Sequence, residues 1–165
     1  VSAELCLAHA RLGLREALER WLKRFTDPSD TAALDPVQAA LGEWQLRQGD
    51  TRAALAHALA VQQPGCRDPL LVRLVEAMHG DEAEQAGEIL LRIESESLRR
   101  DLALKLVQLD SFAALPANME RLIVACGSSP AMLAELIRLA APGADPSHLS
   151  ALSNRLRSTT MDADR

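Results

Sequence analysis

Apolar side chains recur along this chain at spacings of three and four, broken by short clusters of Gly, Pro, Asp and Ser. That pattern predicts helices joined by tight turns. A first short helix is expected over 2–11, with Leu5 and Ala8 facing inward, closed by a Leu12-Gly13 corner. An amphipathic helix follows over 14–25. Leu14, Leu18, Trp21, Leu22 and Phe25 form its stripe, and Arg15, Glu19, Arg20, Lys23 and Arg24 cover the other side. Residues 26–35 read as a connection with capping residues. Pro36 then opens the next helix, capped by Asp35, because a first helical position has no use for the missing N–H.

The stretch 41–64 organises the rest. Gln48-Gly49-Asp50 ends one helix with a Gly suited to the left-handed conformation. Asp50 or Thr51 caps the next helix, 52–62, whose Ala53, Ala54, Ala56, Ala58 and Ala60 permit close approach. So short a connection makes the two helices antiparallel neighbours. Two landmarks then recur with nearly one period: Asp35-Pro36 as Asp68-Pro69, and Gly49-Asp50 as Gly80-Asp81. Repeated helical hairpins are the expectation. In the second hairpin, helix 69–78 is apolar nearly all round and should be the most buried. Helix 82–93 turns Ala83, Ala86, Ile89, Leu90 and Ile93 to one side. A third, degenerate unit runs over 96–109 on Leu98, Leu102, Leu106 and Leu109, with Asp110-Ser111 as its corner. Helices over 117–126, 131–141 and 147–156 complete the chain, and 159–165 is a frayed tail. Residues 1–158 are read as a single domain.

Composition narrows the class. Hydrophobic residues are 48% of the 165 and charged residues 25%, which suits a folded chain with a substantial core. Two Trp, two Phe and no Tyr leave Leu and Ala to fill it, so helix packs on helix. No apolar run approaches the roughly 18 residues of a membrane span. The net charge of −5 argues against non-specific nucleic-acid binding. All basic residues except Lys23 and Lys105 are Arg, which with the abundant Ala suggests a GC-rich bacterial coding sequence. Cys6, Cys66 and Cys126 are odd in number, widely spaced and set in apolar stretches; buried thiols in a reducing, cytoplasmic compartment are the expectation. The absence of Met at position 1 suits a processed chain or a fragment.

The residues Leu41-Gly42, Gly49-Asp50 and Ala54 stand at the spacings of a tetratricopeptide repeat, and the stretch resembles that family. Gln45 and Ala58 depart from it, standing where the family prefers aromatics. The resemblance covers about one repeat of 30 residues well and the remainder loosely. It implies an all-α chain of antiparallel helical hairpins stacked as a short TPR-like superhelix. Its concave face is lined by the first helix of each pair. Glu43, Leu46 and Arg47, then Leu70, Leu74 and Met78, then Arg99 would lie near that face.

Enzymatic signatures are missing. His9, His57, His79 and His148 are scattered without ligand spacing, and an acidic first turn accounts for His79 beside Asp81, Glu82 and Glu84. No GxSxG, GxGxxG or GxxxxGK[ST] pattern occurs. Trp44, among polar neighbours, either packs on the preceding hairpin or anchors a partner. Met78 could line an adaptable groove, though core filling is the commoner role.

The reading is a non-enzymatic interaction module, a scaffold, adaptor or chaperone-like subunit. It needs no cofactor or metal and binds another protein or peptide rather than nucleic acid. The expected contact residues are Glu43, Trp44, Arg47, Leu74, Met78 and Arg99. The alternative is a non-catalytic regulatory or oligomerisation domain of a larger bacterial enzyme or assembly. Exposed Leu or Met on the groove would equally mark a homodimer interface.

Overall fold

A computed structural model describes residues 5, 6, 8, 9, 12–24, 31–78, 82–109, 116–127, 129–140, 150, 153, 154 and 157. Among them every regular element is helical and no strand occurs, as the apolar periodicity requires. The order is α1 (Arg15–Arg24), α2 (Thr31–Arg47), α3 (Thr51–Ala60), α4 (Pro64–Ala77), α5 (Ala83–Leu90), α6 (Glu96–Leu106), α7 (Pro116–Cys126) and α8 (Pro130–Ala140). The chain forms two compact units, Val1–Ala77 and Met78–Arg165.

In the first unit the Gly49 corner is built as its sequence predicts. Gly49 has φ +80°. Asp50 N donates to Gln45 O at 3.1 Å and Gly49 N to Leu46 O at 3.1 Å, the paired bonds that close a helix on a left-handed residue. The Asp50 side chain then accepts from Ala53 N at 2.9 Å and caps α3. With only three residues between them, α2 and α3 lie back to back, joined through Ala54 and Ala58, both fully buried. Val61, Gln62 and Gln63 make a second short connection, so α4 returns along α3 and also packs on α2.

Gly42 is the tightest point of this three-helix junction. A β-carbon there would stand 2.5 Å from Leu70 Cδ2, 3.3 Å from His57 Cβ and 3.4 Å from Ala54 O. A side chain would have to turn Leu70 aside and press on α3, so glycine sets how closely the helices approach.

The helix starts expected at the two Asp-Pro pairs are displaced. α2 begins at Thr31 and α4 at Pro64, which puts Asp35-Pro36 and Asp68-Pro69 at the fifth and sixth positions of their helices. The 33-residue recurrence survives; its meaning changes. At these interior positions each Pro removes a donor to the carbonyl four residues back. The Asp35 carboxylate, 1% exposed, is committed to the far end of α3. It accepts from Gln62 N at 3.1 Å and from Gln63 N at 2.6 Å, across the α3–α4 connection. Pro64 instead takes the first position of α4, with Cys66 N and Arg67 N both donating to Gln63 O at 3.0 Å.

The N-terminal face also differs from expectation. Cys6 is the buried residue, packed with Leu18, Val37, Ala40 and Leu41, and with Trp21, Leu22 and Trp44 around them. Leu5 and Ala8 face outward, and Leu14, which precedes α1, is exposed. One residue of helical phase decides this, because the stripe has little apolar redundancy. Phe25 lies outside the described residues. The Gly13 corner forms as expected, with φ +73° and Leu14 N donating to His9 O at 2.9 Å.

In the second unit Ala83, Ala86, Ile89, Leu90 and Ile93 are all buried, as their spacing predicts. α6 ends at Leu106, so Val107 is buried and Leu109 is left exposed, contrary to its place in the expected stripe. α7 packs on α5 and α6, and α8 on α6 and α7. Asn118, with no exposed surface, locks α7 to α5. Its Nδ2 donates to Ala83 O at 2.9 Å, and its Oδ1 accepts from Arg121 Nη1 at 2.9 Å. Pro130 takes the first position of α8, with Leu133 N donating to Ser129 O at 3.0 Å. The expected corners at Gly80-Asp81 and Asp110-Ser111 lie outside the described residues, as do most of the last helix and the tail.

Candidate protein-interaction site

α2 and α4 run side by side, and between them opens a cleft of about 140 Å³. From α2 it is lined by Pro36, Ala39 and Glu43, which recur at three and four residues and share one face. From α4 it is lined by Gly65, Cys66, Pro69 and Leu70. The two helix-interior prolines are therefore cleft residues. They present ring carbons where a longer side chain would close the space, and Pro69 deprives the Gly65 carbonyl of its helical donor.

The walls are apolar and the rim is charged. Glu43 is nearly buried and pairs with Arg73 Nη1 across the cleft, linking α2 to α4. The Arg73 side chain remains half in solvent, so the pair is worth on the order of 1 kcal/mol and acts chiefly to orient both groups. Arg47, one turn beyond Glu43 on the same face, is exposed. Cys66 is half-buried; burial first, and then the Asp35 carboxylate, push its thiol pKa up. The cleft thus contains a neutral, weakly nucleophilic sulfur. Cys6 and Cys126 are buried, and burial raises both of their pKa values.

The six expected contact residues fare differently. Glu43 lines the cleft, and Arg47 is exposed one turn beyond it on α2. Trp44 is half-buried against the Cys6–Leu18–Leu41 cluster, with the Arg15 guanidinium carbon 5.0 Å above its ring, so it packs on α1. Leu74 has no exposed surface and Met78 almost none, so both are withdrawn from solvent. Arg99 is turned to backbone: Nη1 donates to Ile93 O at 2.9 Å and Nε to Ala125 O at 3.4 Å. Glu43, Trp44, Arg47 and Leu74 belong to the first unit, Met78 and Arg99 to the second. On α6, Arg100 pairs with Glu96 one turn away.

Pro36, Ala39, Cys66, Pro69 and Arg73 were not anticipated as site residues. Of these, the recurring Asp-Pro pair marks Pro36 and Pro69 alone. Among the described residues no group of three His, Cys, Asp or Glu side chains could hold a metal ion, and no helix is long and apolar enough to cross a membrane. Comparison with protein-family models, with curated proteins and with solved structures yields no match.

Proposed function

We infer that this chain is a TPR-like helical-repeat module that binds another protein, receiving a partner helix or extended peptide along the α2–α4 cleft. The observation that carries the reading is the cleft itself. It lies between α2 and α4, is apolar inside, and carries Glu43, paired with Arg73, on its wall. Its volume suits one aliphatic side chain: an apolar void of about 150 Å³ accepts a molecule the size of benzene. A partner would bury one anchor residue there and satisfy its flanking polar groups on the rim, the usual economy of an interface hot spot. Catalysis has no place in this reading, because the only ionisable groups lining the cleft are the paired Glu43 and a neutral thiol.

The test is retention of proteins from a bacterial lysate by the purified chain, beside Ala39→Leu, which fills the cleft, and Arg47→Glu, which reverses an exposed charge one turn beyond Glu43. Both variants should keep the parental circular dichroism and melting temperature and lose a discrete partner. Retention by Ala39→Leu equal to the parent would sink the reading. Met78 is unsuitable for this purpose, since a charge at a buried methionine would unfold the chain.

A further inference from the structure

The apolar cleft between α2 and α4 holds a carboxylate. Pro36 and Ala39 on α2 and Cys66, Pro69 and Leu70 on α4 line its length, and Glu43, the last lining residue along α2, is the one charged group among them. Glu43 is only 9% exposed. Arg73 Nη1 donates to its Oε1, and among the described residues nothing donates to Oε2. An ionised carboxylate offers about four acceptor sites, so most of this one's capacity is unused by the protein. Arg73 itself does not line the cleft, and its side chain is half in solvent. A donor that enters along the apolar walls therefore meets a nearly buried acceptor that it can satisfy.

We propose that the anchor the cleft receives is a lysine of the partner protein, its stem lying on Pro36, Ala39, Pro69 and Leu70 and its ammonium donating to Glu43 Oε2. The assignment rests on the partner-binding reading of the cleft and adds the chemistry of the residue inserted. Arg73 need not leave. Its Nη1 keeps Oε1 while the ammonium takes Oε2, and the solvent around the Arg73 side chain screens one cation from the other.

Charge complementarity selects the cation. An acidic tip would enter against Glu43. A purely aliphatic one would cover the carboxylate without supplying a donor, which costs free energy at a nearly buried acceptor. Size selects lysine. Its compact ammonium sits on a flexible four-carbon stem. The whole side chain is smaller than the benzene that an apolar void of about 150 Å³ accepts, and the cleft offers about 140 Å³. The planar arginine fork is bulkier and fits this volume less well.

The experiment follows the backbone amide NMR signals of Ala39, Glu43 and Cys66 in the full chain at neutral pH. The probes are Nα-acetyl-lysine N-methylamide and its norleucine counterpart, which has the same stem without the nitrogen. The expected result is saturable shifts, with lysine bound about tenfold more tightly than norleucine, the margin of one charge-assisted hydrogen bond. Glu43→Gln should remove most of that preference. Arg73→Gln keeps the carboxylate and removes the competing cation, so it should tighten lysine binding about threefold. The lysine anchor is overturned by the absence of saturable shifts, by norleucine binding as well as lysine, by the arginine counterpart binding as tightly, or by a preference that survives Glu43→Gln. Should Glu43→Gln fail to fold, the Arg73→Gln arm decides, and unchanged or weaker lysine binding overturns the anchor. A partner retained from the lysate by the parent and lost by Ala39→Leu, with no lysine preference, overturns the anchor and leaves the partner reading standing. A lysine preference carried by Glu43, with no protein retained, sinks the partner reading and leaves the chemistry of the site.

Discussion

Replacing Gly42 by Ala inserts one methyl group at the point where α2, α3 and α4 are closest. Its β-carbon would begin 2.5 Å from Leu70 Cδ2, more than an ångström inside ordinary contact. Leu70 borders the cleft, so its δ-methyl can turn into that space. His57 Cβ at 3.3 Å and Ala54 O at 3.4 Å belong to α3 and can yield only by a few tenths of an ångström. Overpacking of this kind costs about 1–3 kcal/mol. Against it stands the helical preference of Ala over Gly, about 1 kcal/mol in a helix interior. The clash should win, for a net loss of up to about 2 kcal/mol.

Urea unfolding followed by circular dichroism measures this as a lowered midpoint at unchanged slope. Gly65→Ala is the matched control: the same atoms are added, and no atom lies within 4 Å. It should be neutral or slightly stabilising. Leu70→Ala removes the colliding methyl, so Gly42→Ala made in that background should turn from destabilising to neutral or better. The coupling should be about 1–2 kcal/mol. A Gly42→Ala protein as stable as the parent, or a cycle with no coupling, would refute the account of the junction. The same rotation of Leu70 into the cleft should weaken partner retention, which ties the packing argument to the proposed function.

Three further outcomes are expected. Asp35→Ala strips the carboxylate from Gln62 N and Gln63 N and should cost about 2–3 kcal/mol in the same unfolding assay, as charge-assisted bonds do; a loss under half a kcal/mol would show the connection closes without it. Gly87→Ala should be more damaging than Gly42→Ala, about 3 kcal/mol or more. Its β-carbon would fall on Asn118 Oδ1, and that buried amide cannot turn away without giving up the bond from its Nδ2 to Ala83 O. A disulfide reagent under native conditions should label half-buried Cys66 well before Cys6 and Cys126, with all three slow at neutral pH because burial raises each thiol pKa; mass spectrometry of the labelled peptides reads the order.

Much of the architecture was legible in the residue order, for local reasons. The three-four periodicity marks helices because backbone geometry repeats every 3.6 residues. Gly49 and Asp50 announce a helix stop and a cap because only glycine reaches positive φ without strain and a short carboxylate meets a free N–H. The buried faces of α4 and α5 followed from the same periodicity.

What the order of residues could not decide depended on partners distant in sequence. Asp35-Pro36 and Asp68-Pro69 are equally good helix starts and helix interiors by local chemistry. The choice fell to backbone N–H groups 27 and 28 residues away, at Gln62 and Gln63, which take the Asp35 carboxylate. Cys6 displaced Leu5 from the core, and Leu74 and Met78 became core, because apolarity names residues that avoid water without saying whether a neighbour or a partner will cover them. The cleft arose the same way. Each of its walls is an ordinary helix face in the sequence, and only the close approach that Gly42 permits brings Pro36 and Ala39 opposite Cys66 and Pro69. Local chemistry determined that the chain is helical and where its glycine corners fall, and tertiary packing decided where α2 and α4 begin and which faces met.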